Sequence, residues 1–191
     1  MSPLVAFMKQ TGESFFHNLL HTPSRHTGGL AVEVGPNNGE LAKAAAKAGF
    51  QVLLVEPSPG NFERVKRLQR ANNWTDAMFE VHHVAAASAR GTGKFYARND
   101  GGAGDHLLNP LTNGLNVGEA RNYKPGNHKV LDIQTVPLDD IVGRRRVYAL
   151  KVDGCGRDLD VLLGAERLFR EQRVSFGMFR FWPTQAGRRN A

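Results

Sequence analysis

LAVEVGPNNGELAKAAAKAGFQVLLVEP, residues 30–57, decides how the rest of this 191-residue chain is read. Leu30, Ala31, Val32 and Val34 form an apolar run of strand length that stops at a Gly/Pro/Asn cluster, the pattern of a buried strand followed by a sharp turn. Gly35 and Gly39 bracket that turn. Residues 40–48 are rich in alanine and carry high intrinsic helix propensity, and Gly49 stands where a helix end favours a residue free to adopt positive φ. Residues 52–55 are again apolar and β-branched, and they end at Glu56-Pro57. The stretch therefore predicts a strand, a tight turn, a helix and a second buried strand.

Such a unit points to a ligand. Glycines in a strand-to-helix turn let the backbone approach a bound molecule, and free N–H groups at the helix start favour an anionic group. An acid closing the next strand, here Glu56, is placed to accept hydrogen bonds from ribose hydroxyls. Gly35-x-x-x-Gly39 is not the Gly-x-Gly-x-x-Gly of a nicotinamide site, and the Gly-Lys-Ser/Thr of a phosphate loop is missing. S-adenosylmethionine fits better, because its amino acid end needs hydrogen bonds rather than a pyrophosphate cradle.

Glu33-Val34-Gly35-Pro36-Asn37-Asn38-Gly39 resembles the first motif of class I S-adenosylmethionine-dependent methyltransferases, in the variant with a central Asn that marks the FkbM family. Val55-Glu56-Pro57 resembles that family's second motif. Three later blocks are similar in order: Val84-Ala85-Ala86-Ala87-Ser88 with Gly93-Lys94-Phe95-Tyr96, then Val136-Pro137-Leu138-Asp139-Asp140, then Ala149-Leu150-Lys151-Val152-Asp153 with Leu162-Leu163-Gly164-Ala165. Ordered blocks over residues 30–182 are far more specific than one glycine turn. The resemblance implies an α/β fold with a Rossmann-like, mostly parallel sheet and S-adenosylmethionine as cofactor. Glu33, Gly35, Pro36, Asn37, Asn38 and Gly39 would take its methionine end, Glu56 and Pro57 its ribose, and Val84 and Ala85 its adenine.

Composition bounds the rest. The length suits one domain, and the apolar and charged fractions are those of a soluble globular protein. With Cys155 as the only cysteine, no intrachain disulfide can form. No run reaches membrane-spanning length, so a cytoplasmic protein is expected. The formal charge of +7 raises nucleic acid as a partner. Arginines are spread along the chain rather than gathered in one arm, so a solvated basic surface is favoured over RNA binding.

Residues 1–29 read as a short amphipathic helix and a loop, residues 30–183 as the methyltransferase domain and 184–191 as a tail. His17 and His21 share a helical face but lack a third ligand, and no metal is expected. After Glu56 a helix is predicted over 61–71 and a third strand over 79–85. On that strand, His82 and His83 must point to opposite sides. Residues 94–98 and 130–136 are expected to pair as an inserted hairpin flanking a long polar loop, 99–129, which is expected to be mobile and to serve the substrate side. A strand over 147–152, one helix over 157–170 and a last strand over 174–182 complete five core strands in order 3-2-1-4-5. The sheet is expected to stop there, truncated after its fifth core strand, leaving an edge that a partner such as a second subunit could cover unless the chain is itself a truncated product.

Methyl transfer is an in-line displacement that mostly requires alignment in a water-poor cleft, with a base helping when the acceptor is a hydroxyl. Asp153, at the end of the fourth core strand, is the candidate to orient or deprotonate a hydroxyl of a glycan or small metabolite, or to hold the cofactor's amino group; a helix-capping Asp is the structural alternative. The family's Lys-Ile-Asp-Val-Glu-Gly reads Lys151-Val152-Asp153-Gly154-Cys155-Gly156 here, so Cys155 replaces an acid while Asp158 keeps a later one. Arg180 stands where relatives often carry Glu. These departures make a catalytically weakened cofactor- or partner-binding protein the competing expectation.

Overall fold

The computed structural model describes residues 28–98, 106–107 and 128–179. The expectations for residues 1–27, for most of the 99–129 loop and for Arg180 onward, including His17 and His21, lie outside the described residues.

The decisive stretch folds as read. β1 (Leu30–Val34) is buried along its whole length, α1 (Glu40–Lys47) follows the turn, and β2 (Gln51–Val55) lies parallel to β1 with Val34 opposite Val55. The alanines of α1 have a packing role besides propensity: Ala42, Ala45 and Ala46 are buried against Ala31, Val52 and Leu54, so a helix of small side chains can approach the strands closely. α2 (Pro59–Ala71) starts with proline in its first turn and is capped by Ser58, whose Oγ accepts the Asn61 N–H at 3.4 Å. β3 (Phe79–His82) then pairs parallel to β2.

Here the expected single strand over 79–85 divides. Glu56 N donates to His82 O at 3.0 Å, and the next residue on the β2 side, Pro57, has no N–H to continue a ladder. The chain leaves the sheet at His83-Val84 and reappears as β4 (Ala85–Ala86), paired with a different partner. β5 (Gly91–Arg98) and β7 (His128–Val136) form the expected antiparallel pair, longer than read from sequence. With β6 (His106–Leu107) they make a second sheet of four strands in order β4-β7-β5-β6, not a lone hairpin. Its small core is Ala85, Phe95, Ala97 and Ile133.

α3 (Leu138–Val142) leads to β8 (Val147–Val152), which lies parallel to β1 on the side away from β2. The helix expected over 157–170 is two: α4 (Asp158–Leu163) and α5 (Glu166–Arg170). The break falls at Gly164, whose carbonyl accepts Asp139 N at 2.9 Å, while a Cβ there would stand 2.0 Å from Ala87 O. Tertiary contact thus overrides helical periodicity. β9 (Val174–Phe179) pairs parallel to β8, giving a main sheet of order β3-β2-β1-β8-β9, the expected 3-2-1-4-5 arrangement.

Each face of this sheet carries a core. One, around Val32, Leu53, Leu150 and Val152, is closed by Leu138, Val161 and Leu168 of α3, α4 and α5. The other lies under α1 and α2. Leu53, Leu138 and Leu168 are fully buried, each contributing about 1.5–3 kcal/mol relative to exposure. No helix among the described residues is long and apolar enough to cross a membrane.

Candidate functional site at the strand ends

The C-terminal ends of β8, β1, β2 and β3 are laced into one crest by main-chain bonds. Asp153 N donates to Val34 O, Gly35 N to Val55 O and Glu56 N to His82 O, each at 3.0 Å. Asp153, Gly35, Glu56 and His83 therefore stand side by side where each strand gives way to a loop. Ligands of open α/β sheets bind at such ends.

The turn after β1 has left-handed backbone at every second position: Gly35 at φ 75°, Asn37 at 52° and Gly39 at 76°. Gly39 N closes it on Pro36 O at 2.8 Å, and Asn38 Oδ1 accepts the Glu40 N–H at 3.3 Å. Asn tolerates this region better than most residues, which accounts for the middle residue of the motif. Pro36 and Gly39 are buried, whereas Asn37 and Asn38 are exposed. Glycine at position 35 is required sterically, since a Cβ would lie 2.2 Å from Asp153 O. The turns after β1 and β8 touch there.

Glu56 is 3% exposed, and its Oε1 accepts the Ser58 N–H at 2.8 Å, which ties the carboxylate to the start of α2. Pro57 is half-buried beside it. The other expected acid, Glu33, lies just below the crest. Its Oε1 takes a 2.8 Å hydrogen bond from the ammonium of Lys151, its register partner on β8, and both side chains are nearly buried. The two residues are 118 positions apart, and nothing in the local sequence signals the pair.

On the β3 side the structure separates residues that the sequence groups. His82 faces Glu80, with Nε2 2.5 Å from Oε1, while the exposed His83 stacks on Phe62 with ring centroids 4.5 Å apart. The imidazoles part ways, as extended backbone requires. Val84 is half-buried against the main core, but Ala85 is drawn into the core of the second sheet beside Phe95 and Ile133. Glu80 also accepts from Arg145 Nη1 at 2.6 Å. Burial opposes ionisation of Glu80, and the hydrogen bonds from Arg145 and His82 outweigh it, holding the carboxyl below its usual value.

The turn after β8 runs Asp153-Gly154-Cys155-Gly156, with Cys155 at φ 48° and Gly156 at φ 91°. Asp158, 3% exposed, accepts Gly154 N at Oδ1 and Gly156 N at Oδ2, both at 3.1 Å. Burial pushes its carboxyl up and the charge of Asp153 adds to the rise, against the downward pull of those N–H groups. From sequence Asp158 reads only as a retained acid; its position two residues after the Gly-x-Gly turn is the available clue.

A cavity of about 220 Å³ lined by Ser88, Pro137, Asp139, Gly164 and Arg167, among others, contains none of these crest residues. It lies where α3, α5 and the chain after β4 meet. Among the described residues no group of acids, histidines and cysteine is arranged to hold a metal ion.

A family model described as the methyltransferase FkbM domain matches residues 33–186. The chain belongs to this family. Comparison with curated proteins and with solved structures found no match. The FkbM match opens at Glu33 and embraces the whole crest, so the methyltransferase domain and the laced strand ends coincide. Within this FkbM chain, main-chain turns and one buried carboxylate meet at the crest. The Gly35 turn lies against the main chain of Asp153, and Glu56 stands one strand further along.

Proposed function

We propose that this methyltransferase is S-adenosylmethionine-dependent and transfers methyl to a hydroxyl of a glycan or small metabolite. The observation that carries the reading is the lateral adjacency of Gly35 and Glu56 at the ends of paired strands, with Val34 opposite Val55. The turn of Gly35, Pro36, Asn37, Asn38 and Gly39, over Glu33, receives the amino acid end. Glu56, beside Pro57, accepts the ribose hydroxyls. Val84 flanks the adenine, and Ala85, whose side chain enters the second core, contributes only backbone there.

When bound, the sulfonium supplies an electrophilic methyl group. Asp153 stands next to Gly35 on the β8 side, so its carboxylate would orient the acceptor hydroxyl and take its proton as the methyl passes from sulfur to oxygen, the C–S bond breaking as the C–O bond forms and the thioether leaving. Glu33 and Lys151 neutralise each other below the crest and leave the turn above them fixed. The test is incubation with S-adenosylmethionine labelled in its methyl group and a panel of hydroxylated metabolites, oligosaccharides and RNA. Label in an ether of a hydroxylated acceptor is expected. Label in RNA alone would replace the substrate assignment. Cofactor binding with no transfer to any acceptor would favour a binding protein, the reading that Cys155 suggests by standing where the family pattern has an acid.

A further inference from the structure

We propose that Asp158 is a positioning residue for the crest. Its carboxylate clamps the turn after β8 and, through the Asp153 carbonyl, keeps the Gly35 turn in its binding shape; the functional half of this proposal rests on the role given above to the Gly35 turn.

The sequence of the clamped segment explains why a clamp is needed. Asp153-Gly154-Cys155-Gly156 contains two glycines and one non-glycine residue at positive φ, so the chain has little intrinsic preference for the observed path. Outside bonds must select it. Asp158 supplies two, one from each oxygen, to the N–H groups on either side of Cys155. The turn also lies directly on the start of α4, because a Cβ on Gly154 would be 3.2 Å from Asp158 N. A carboxylate kept at 3% exposure near a second acid is costly to bury, and its two hydrogen bonds offset part of that cost.

The clamp reaches the cofactor side by direct contact. Asp153 N is bonded to Val34 O at 3.0 Å, and Asp153 O occupies the space that a Cβ of Gly35 would need. The turn after β8 therefore cannot shift towards β1 without displacing Gly35. If it relaxes away, the support under that turn is withdrawn. A single side chain in α4 couples the acceptor side of the crest to the donor side.

Cys155 is the only thiol in the chain and is half-buried on the clamped turn, which makes it a built-in reporter. The experiment compares the wild-type chain with Asp158→Ala and Asp158→Asn. It measures thermal unfolding, the rate of Cys155 modification by an aromatic disulfide reagent, and S-adenosylhomocysteine affinity by calorimetry. Losing two hydrogen bonds to a charged acceptor should raise the modification rate of Asp158→Ala about tenfold and weaken S-adenosylhomocysteine about tenfold, well below its melting temperature. Asp158→Asn should fall between, because its amide oxygen retains one acceptor.

Wild-type modification rate and affinity in a folded Asp158→Ala protein would overturn the proposal. Faster modification with unchanged affinity would overturn the coupling to Gly35. Should Asp158→Ala fail to fold, the same two readouts on Asp158→Asn decide. If the wild-type chain does not bind S-adenosylhomocysteine, the function proposed above fails instead, and the modification rates still decide the clamp.

Discussion

At Gly35 two constraints coincide, a left-handed φ of 75° and a clearance that leaves a Cβ only 2.2 Å from Asp153 O. Gly35→Ala is expected to lose roughly 2–4 kcal/mol of stability in urea denaturation, combining left-handed strain with a backbone clash that no rotamer can relieve. Lys151 makes a second, independent prediction. Its pair with Glu33 has side-chain exposures of only 11% and 7%, so Lys151→Met should cost about 3–5 kcal/mol by removing the ammonium that faces a buried carboxylate. Adding Glu33→Gln to that variant should recover part of the loss. Two carboxyls give opposite pH behaviour. The folded state holds the Glu80 carboxyl below its ordinary 4.5, so Glu80 contributes stability above that value that is lost as pH falls through the folded pKa. The Asp158 carboxyl is raised above 3.8, so its contribution is fully present below that value and is lost as pH rises through the folded pKa. Unfolding free energy measured against pH should therefore lose part of its acid sensitivity in Glu80→Gln and gain acid sensitivity in Asp158→Asn.

Among the elements, the joint around Gly164 is the part the sequence conceals. Leu159, Leu162, Leu163 and Leu168 have helical spacing over 157–170, and helix propensity alone would make Gly164→Ala favourable by about 1 kcal/mol. The structure reverses the sign, because the Cβ would stand 2.0 Å from Ala87 O and push α4 and α5 off the chain that leads into the second sheet. Gly164→Ala is expected to lower the melting temperature rather than raise it. Asp139 secures the same joint from α3, accepting Arg167 N and Leu168 N at 2.8 Å each. Its truncation to Ala should cost about 1–2 kcal/mol, the range of a lost helix cap. The βαβ unit of β1, α1 and β2 was legible because every local signal agreed: apolar runs, glycines at the turns and alanines between them. The division of the third strand and of the last helix was not, because each depends on a partner far along the chain, β7 for Ala85 and Asp139 for Gly164.

Across the whole molecule, the order β3-β2-β1-β8-β9 follows from apolar strands separated by amphipathic helices, a pattern that survives errors of a few residues at element ends. The candidate site was legible to the extent that it is made of turns. Gly35, Asn37, Gly39 and Glu56 announce themselves by residue type. The Glu33–Lys151 pair and the Asp158 clamp arise only when strands meet, and the second sheet that claims the Ala85 side chain is not legible from residue type. The organising claim is that β1, β2, β3 and β8 end together so that one methyl donor can lie across them. Calorimetric titration of the wild-type chain and of Glu56→Ala with S-adenosylmethionine tests it most directly. Saturable binding by the wild type, weakened at least tenfold in a folded Glu56→Ala protein, is the predicted result; absence of wild-type binding, or equal affinity in the two proteins, would contradict it.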